Sequence, residues 1–244
     1  MISISKRELF IKSFEMFKIN ARFFVNIGIL LFSIQHIIPI MLGVFFTPYS
    51  IPYFIFHMTY LLITTTISLW VMMQILKILR SKPIDSFQNI FIYFPKVFQA
   101  IGGSFIITFS IIIFGMILLL TIFSIDINAD METLETILKS IANSKSGVIT
   151  ILGYSILSTY LWIKAYFFIY YIVDQNLGAL EAIKKSLIIT TGYEGDLFIL
   201  WVSTIIINFL GMLLYGIGLI LTLPYTLIVL SMFYKNYLCH VKES

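Results

Sequence analysis

The sequence predicts an all-α integral membrane protein, with six transmembrane helices and amphipathic helices at the cytoplasmic interface. Three observations predict it. Hydrophobic residues make up 59% of the 244 and charged residues 11%, against about 45–50% and about 25% in soluble domains. The few charges are bunched, leaving long uncharged stretches between them. Lys and Arg concentrate in alternate connections, as they do on one side of a bilayer. Together these exclude a soluble enzyme, a disordered chain and a nucleic-acid binder that relies on phosphate contacts.

The first uncharged stretch runs from Phe23 to Leu76, too long for one span of about 20 residues. Two prolines and small polar residues in Thr47-Pro48-Tyr49-Ser50-Ile51-Pro52 mark a turn between spans at 23–46 and 53–76. Val97 to Ile125 supplies a third span, 97–125. Ser146 to Val173, interrupted only by Lys164, supplies a fourth, 147–173. The uncharged stretch from Leu197 to Tyr234 fits two more, 197–214 and 219–238, or a re-entrant hairpin, with a turn at Tyr215-Gly216-Ile217-Gly218. Pro39 and Pro224 predict kinks in their helices.

Orientation follows from the basic residues. Lys6, Arg7, Lys12, Lys18 and Arg22 precede the first span; Lys77, Arg80, Lys82 and Lys96 follow the second. Lys184 and Lys185 follow the fourth, and Lys235 and Lys242 end the chain. The opposite side carries only Lys139 and Lys145, beside Asp126, Asp130, Glu132 and Glu135. Both termini are therefore expected in the cytoplasm. The basic first segment does not read as a cleavable signal peptide, because its apolar stretch is too long and more spans follow. Cys239, the single cysteine, allows neither an intrachain disulfide nor a cysteine metal site. Met131, Leu134, Leu138 and Ile141 have helical spacing and suggest a short amphipathic helix on the outer surface.

The basic segments resemble one another. Glu8 to Phe14 aligns with Glu181 to Leu187, and more weakly with Asp85 to Phe91. Each has an acid followed by apolar residues two and six positions on: Phe10 and Phe14, Phe87 and Phe91, Ile183 and Leu187. Such spacing describes a helix in the headgroup plane. Each precedes two spans, so the chain reads as three parallel helix-plus-hairpin repeats.

The most distinctive stretch is Tyr170-Tyr-Ile-Val-Asp-Gln-Asn-Leu-Gly-Ala-Leu-Glu-Ala-Ile-Lys-Lys-Ser-Leu-Ile-Ile-Thr-Thr-Gly192, followed downstream by a Gly-rich segment and Thr222-Leu-Pro224. It resembles a bacterial group of small polytopic proteins, the YciC-like kind, related to the membrane domain fused to some glycerophosphodiester phosphodiesterases. The resemblance covers roughly 81–237 and implies a bacterial inner-membrane protein without phosphodiesterase activity, since the catalytic domain is absent. Such proteins often carry a Pro-Gly break before the Asp. Here Leu157-Ser-Thr-Tyr-Leu-Trp-Ile163 stands in its place, which predicts a more continuous fourth helix.

Lys164, the only charge inside a span, reads either as a ligand for an anion or lipid phosphate, or as a lysine snorkelling to the interface among Tyr166, Tyr170 and Tyr171. Asp174 reads as a headgroup contact or, more simply, as a cap for a helix starting near Leu177. Glu181 and Lys185 are a favourable i,i+4 pair, and Gly192 suits the left-handed position that ends that helix. Lys184 and Lys185 are candidates for anionic lipid. Gln35, His36 and Asn208 inside spans, with His57 near a span's outer edge, suggest interhelical hydrogen bonds or a permeation route. Ala100, Ser104 and Thr108 recur every four residues and suggest close helix packing. No catalytic constellation, metal-ligand set or phosphate loop occurs, and no cofactor is expected.

These readings converge on a non-enzymatic inner-membrane protein that supports membrane or envelope integrity by binding lipids, anionic ones foremost, or other membrane proteins. A small permease with a cavity reached by Lys164 and Asn208 is the alternative.

Overall fold

The computed structural model describes residues 5–45, 50–123, 136, 139–140 and 144–238. The expected turn at 47–49, the outer-surface helix at 131–141 (apart from 136 and 139–140), Cys239 and Lys242 lie outside them. The described chain is helical, and six helices are long and apolar enough to cross a bilayer. In order the elements are α1 (Lys6–Ile19), α2 (Ala21–Phe45), α3 (Ile51–Leu79), α4 (Phe94–Phe123), α5 (Lys145–Ala165), α6 (Phe168–Gln175), α7 (Ala179–Ile189), α8 (Glu194–Leu213) and α9 (Leu219–Phe233). α5 and α6 form one broken span, and a π-helical turn, Tyr234–Leu238, extends α9. At 20 residues, α8 is about 30 Å long, the thickness of a hydrocarbon core. It is therefore long enough for a full crossing.

Local chemistry sets the helix ends. Ser5, Ser50 and Ser144 cap α1, α3 and α5 by accepting from Glu8, Tyr53 and Gly147 N–H at 3.2, 3.2 and 3.0 Å. Asn176, at φ 57°, ends α6, and Gly192, at φ 91°, follows α7 as expected. The α8–α9 turn places Tyr215 and Gly216 at positive φ, where Gly216 accepts the geometry freely.

Both span prolines leave a carbonyl without its helical donor, and in lipid such groups must be satisfied within the protein. Around Pro39, α2 widens into a π-helical turn over Ser33–Ile37, in which Ile38 N–H bonds Ser33 O. Ile34 O would look to residue 39, which has no N–H; Tyr60 Oη on α3 donates to it instead at 3.0 Å. Pro224 likewise offers nothing to Ile220 O, and there Gly28 of α2 comes up against the carbonyl. Any side chain at Gly28 would collide with that backbone. Of the expected packing stripe, Ala100 is buried in the core, whereas Ser104 and Thr108 are left open along the cavity.

The basic end of the bundle is the tightly packed one. Phe167, Phe168, Tyr170, Tyr171 and Tyr234 are fully buried there, with Tyr170 stacked on Tyr234 at 4.9 Å. Farther along, Phe109, Ile149, Ile156 and Phe209 are exposed, an arrangement that suits lipid as solvent.

Several basic residues turn inward. Lys235 Nζ donates to Leu79 O at 2.6 Å and Lys96 Nζ to Val173 O at 2.9 Å, satisfying carbonyls at helix C-terminal ends. Lys77 pairs with Asp85 at 2.6 Å, and buried Gln74 accepts from Asp85 N–H at 2.8 Å.

The three expected interfacial helices differ in kind. α1 and α7 are separate helices, whereas Phe87–Tyr93 is a 3₁₀ segment running directly into α4. Asp85 is spent on Lys77 and Gln74, outside any helix; Glu8 instead pairs along α1 with Lys12 at 2.7 Å. α1 is tied to the bundle by Lys6 to Asp196 at 2.5 Å and by Tyr225 Oη donating to Phe10 O at 3.2 Å.

Candidate functional site

The helices pack as a ring: α3 on α4, α4 on α5, α5 on α8, α8 on α9, and α9 back on α3. Inside it lies a cavity of about 840 Å³. α2, packed outside against α9, adds Leu31 and Gln35 to its wall. No Asp, Glu, Lys, Arg or His occurs among the described residues that line it.

The wall is apolar with hydroxyl and amide groups set into it: Tyr60, Thr64, Thr65 and Ser68 of α3, Ser104 and Thr108 of α4, Thr204 and Asn208 of α8, and Thr226 of α9. Thr64 and Thr65 donate to Leu61 O at 3.0 and 2.8 Å, Thr204 to Trp201 O at 2.8 Å and Thr226 to Leu223 O at 2.9 Å. Their protons are committed to the helix backbone, so these hydroxyls have lone pairs to offer a guest. Asn208 strengthens that bias. Since Thr226 gives its proton to Leu223, Asn208 must donate its Nδ2 to Thr226 Oγ1, at 3.4 Å. Asn208 Oδ1 is then left buried with no hydrogen-bond partner, a state that costs about 1–3 kcal/mol. Asn208 Oδ1 is thus an acceptor in want of a donor on the cavity wall.

An aromatic floor closes the cavity toward the basic end, with Tyr166, Phe167 and Ile169 beside Leu69 and Met72. It exists because the fourth span breaks between Ala165 and Phe168, without Pro or Gly. Buried Ser186 of α7 donates to the carbonyls of Lys164 and Ala165, at 2.7 and 3.2 Å. A side chain from another helix therefore stabilises the break. This corrects the expectation of a more continuous helix: the span breaks at Tyr166 and Phe167 without Pro or Gly.

Lys164 does not reach this cavity. It lines a separate groove of about 390 Å³ on the α5–α8 seam, where Nζ donates to Thr191 Oγ1 at 3.0 Å and to Glu194 Oε1 at 3.3 Å. Ile163, Leu197 and Trp201 border both spaces. Asn208 and Lys164, expected to share one cavity, thus lie on two sides of a common wall.

Asp174 does not cap the following helix: Gly178 occupies the cap of α7 with no side-chain bond. Asp174 accepts both guanidinium nitrogens of Arg80, at 2.5 and 2.8 Å, and Tyr234 Oη at 3.0 Å. It is a structural anchor between α3, α6 and the end of α9. Lys184 stands exposed on α7, and Lys185 Nζ lies 5.8 Å from the centre of the Tyr171 ring; neither lines the cavity. His36 lies against Phe32, and His57 against Tyr53 and Tyr60. No group of three or more His, Cys, Asp or Glu suited to a metal occurs among the described residues.

Sequence reasoning missed most of the hydroxyl lining. A signal was present: polar residues spaced i,i+4 at mid-span on three helices, Thr64 and Ser68, Ser104 and Thr108, Thr204 and Asn208. With this geometry in hand, comparison with known proteins finds no matching family model, curated protein or solved structure.

Proposed function

We propose that the protein is a non-enzymatic lipid-handling component of the bacterial inner membrane, which holds a neutral, hydroxyl-bearing amphiphile in its central cavity. The observation that carries this reading is a space of about 840 Å³ lined, among the described residues, by no charged side chain yet bearing acceptors from several helices. A charged guest would find no counter-charge there. An apolar guest without hydroxyls would leave Asn208 Oδ1 unpaired. The volume is within the usual range for a small-molecule site, about 300–1,000 Å³. The resemblance of residues 171–192 to YciC-like membrane proteins fits this role.

The Lys/Arg bias favours cytoplasmic termini. Exposed lysines at that end, Lys184 among them, would attract anionic lipid with about 1 kcal/mol each. Native mass spectrometry on protein released with its surrounding bilayer tests the reading. One neutral amphiphile is expected per chain, lost on Ser104→Trp, which projects an indole into the cavity. A bare chain, or retention unaffected by that substitution, would overturn it.

The small-permease alternative draws support from the same mid-span hydroxyls, which could pass a small neutral solute. It predicts polyol flux into proteoliposomes, which a lipid-handling protein would not give.

A further inference from the structure

The groove on the outside of the α5–α8 seam is chemically unlike the central cavity. Its walls are apolar, from Leu152 and Ile156 on α5 to Phe198 and Trp201 on α8. From Leu152 to Lys164 it follows α5 for about 18 Å at 1.5 Å per residue, against about 15 Å for one leaflet of a 30 Å core. Its charged end lies where α8 begins, at the boundary with the basic face.

Two opposite charges stand there side by side, Lys164 and Glu194, their side chains 12% and 35% exposed. The ammonium has three protons. Two go to Thr191 and Glu194, and the nitrogen sits 5.5 Å from the centre of the Tyr160 ring, on the groove wall. Glu194 accepts from Lys164 on Oε1 and from Gly192 N–H on Oε2, at 2.8 Å. Its own backbone N–H also bonds the carboxylate, which leaves one of about four acceptor positions open.

We propose that this groove is a binding site for one phospholipid whose headgroup carries a phosphate and a primary ammonium. Its acyl chain lies between α5 and α8, its phosphate takes the third proton of Lys164, and its ammonium donates to Glu194. The charge pattern excludes the common alternatives. A purely anionic headgroup would add a negative charge beside a Lys164–Glu194 pair that is already neutral. A quaternary ammonium has no N–H to give that carboxylate. The site is independent of what the central cavity holds.

The test is native mass spectrometry on protein reconstituted in vesicles of equimolar phosphatidylethanolamine, phosphatidylcholine and phosphatidylglycerol. Wild type is expected to retain one phosphatidylethanolamine in preference to the other two. Glu194→Gln should lower the ethanolamine-to-choline ratio about tenfold, the size of one charge-assisted hydrogen bond. Ile156→Trp, which narrows the acyl-chain path and leaves the charged pair intact, should sharply lower retention. Equal retention of the three lipids by wild type, or an unchanged ratio in both variants, would overturn the proposal. Retention of a neutral amphiphile that only Ser104→Trp removes reports on the central cavity and leaves this result readable.

Discussion

Gly28 lies directly against the carbonyl oxygen of Ile220, the group that Pro224 leaves without a helical donor. A side chain at residue 28 would force α2 off α9, the most extensive helix contact in the bundle. Gly28→Ala is expected to destabilise by at least the 1–3 kcal/mol typical of overpacking. Gly153, with open space around the position a Cβ would take, is the control. Gly153→Ala should be neutral or stabilising by up to about 1 kcal/mol. Thermal unfolding in one detergent compares the two, and equal effects would disprove the contact.

Ser186→Ala removes the hydroxyl that bonds the carbonyls of Lys164 and Ala165 at the break between α5 and α6. The expected loss is about 1–3 kcal/mol. Because Phe167 and Ile169 would lose their positions in the cavity floor, amphiphile retention should fall along with the melting temperature. A stability loss with full retention would separate the break from the cavity.

Arg80 and Asp174 should behave as a coupled pair, since Asp174 is only 7% exposed in its side chain. Removing one partner strands the other, at a cost of about 3–5 kcal/mol. Arg80→Met with Asp174→Leu should cost less than either single change. A double-mutant cycle on unfolding checks it; additive losses would show no coupling.

Asp85 confers a pH dependence on the segment before α4. The hydrogen bond from Lys77 is the main cause that holds its carboxyl below the usual range, with Gln74 and Tyr93 adding hydrogen bonds against the opposing effect of burial. A carboxylate with a depressed folded-state value stabilises above its unfolded value, near pH 4, and that contribution disappears as pH falls through the folded value. Hydrogen exchange at 84–88 should therefore accelerate below about pH 4, beyond the change seen in Asp85→Asn. Identical pH profiles in the two proteins would count against this anchor.

Asn208→Leu separates stability from binding. It removes an orphaned acceptor, so the apo protein should be unchanged or more stable. The hydroxyl-bearing amphiphile should bind about tenfold more weakly for each hydrogen bond lost. Unaltered retention in this variant would place the guest elsewhere.

Span number and approximate bounds could be read from the chain alone, because lipid imposes a length and a polarity that do not depend on neighbours. The fourth stretch and the Tyr215–Gly218 turn are examples, as is the left-handed Gly192. Pairings between distant residues could not be read this way. Asp174 looked like a local cap until Arg80, far away in sequence, arrived beside it, and Lys164 read either as a ligand or as a lysine snorkelling to the interface until Glu194 drew it to the α5–α8 seam. Ala100, Ser104 and Thr108 looked like a packing stripe; Ala100 is indeed buried, but Ser104 and Thr108 stay open and line the cavity. Composition and hydropathy decided that the chain enters the membrane. Only the packing of six helices decided which carbonyls, charges and hydroxyls meet, since that depends on how side chains from separate helices fill one common volume.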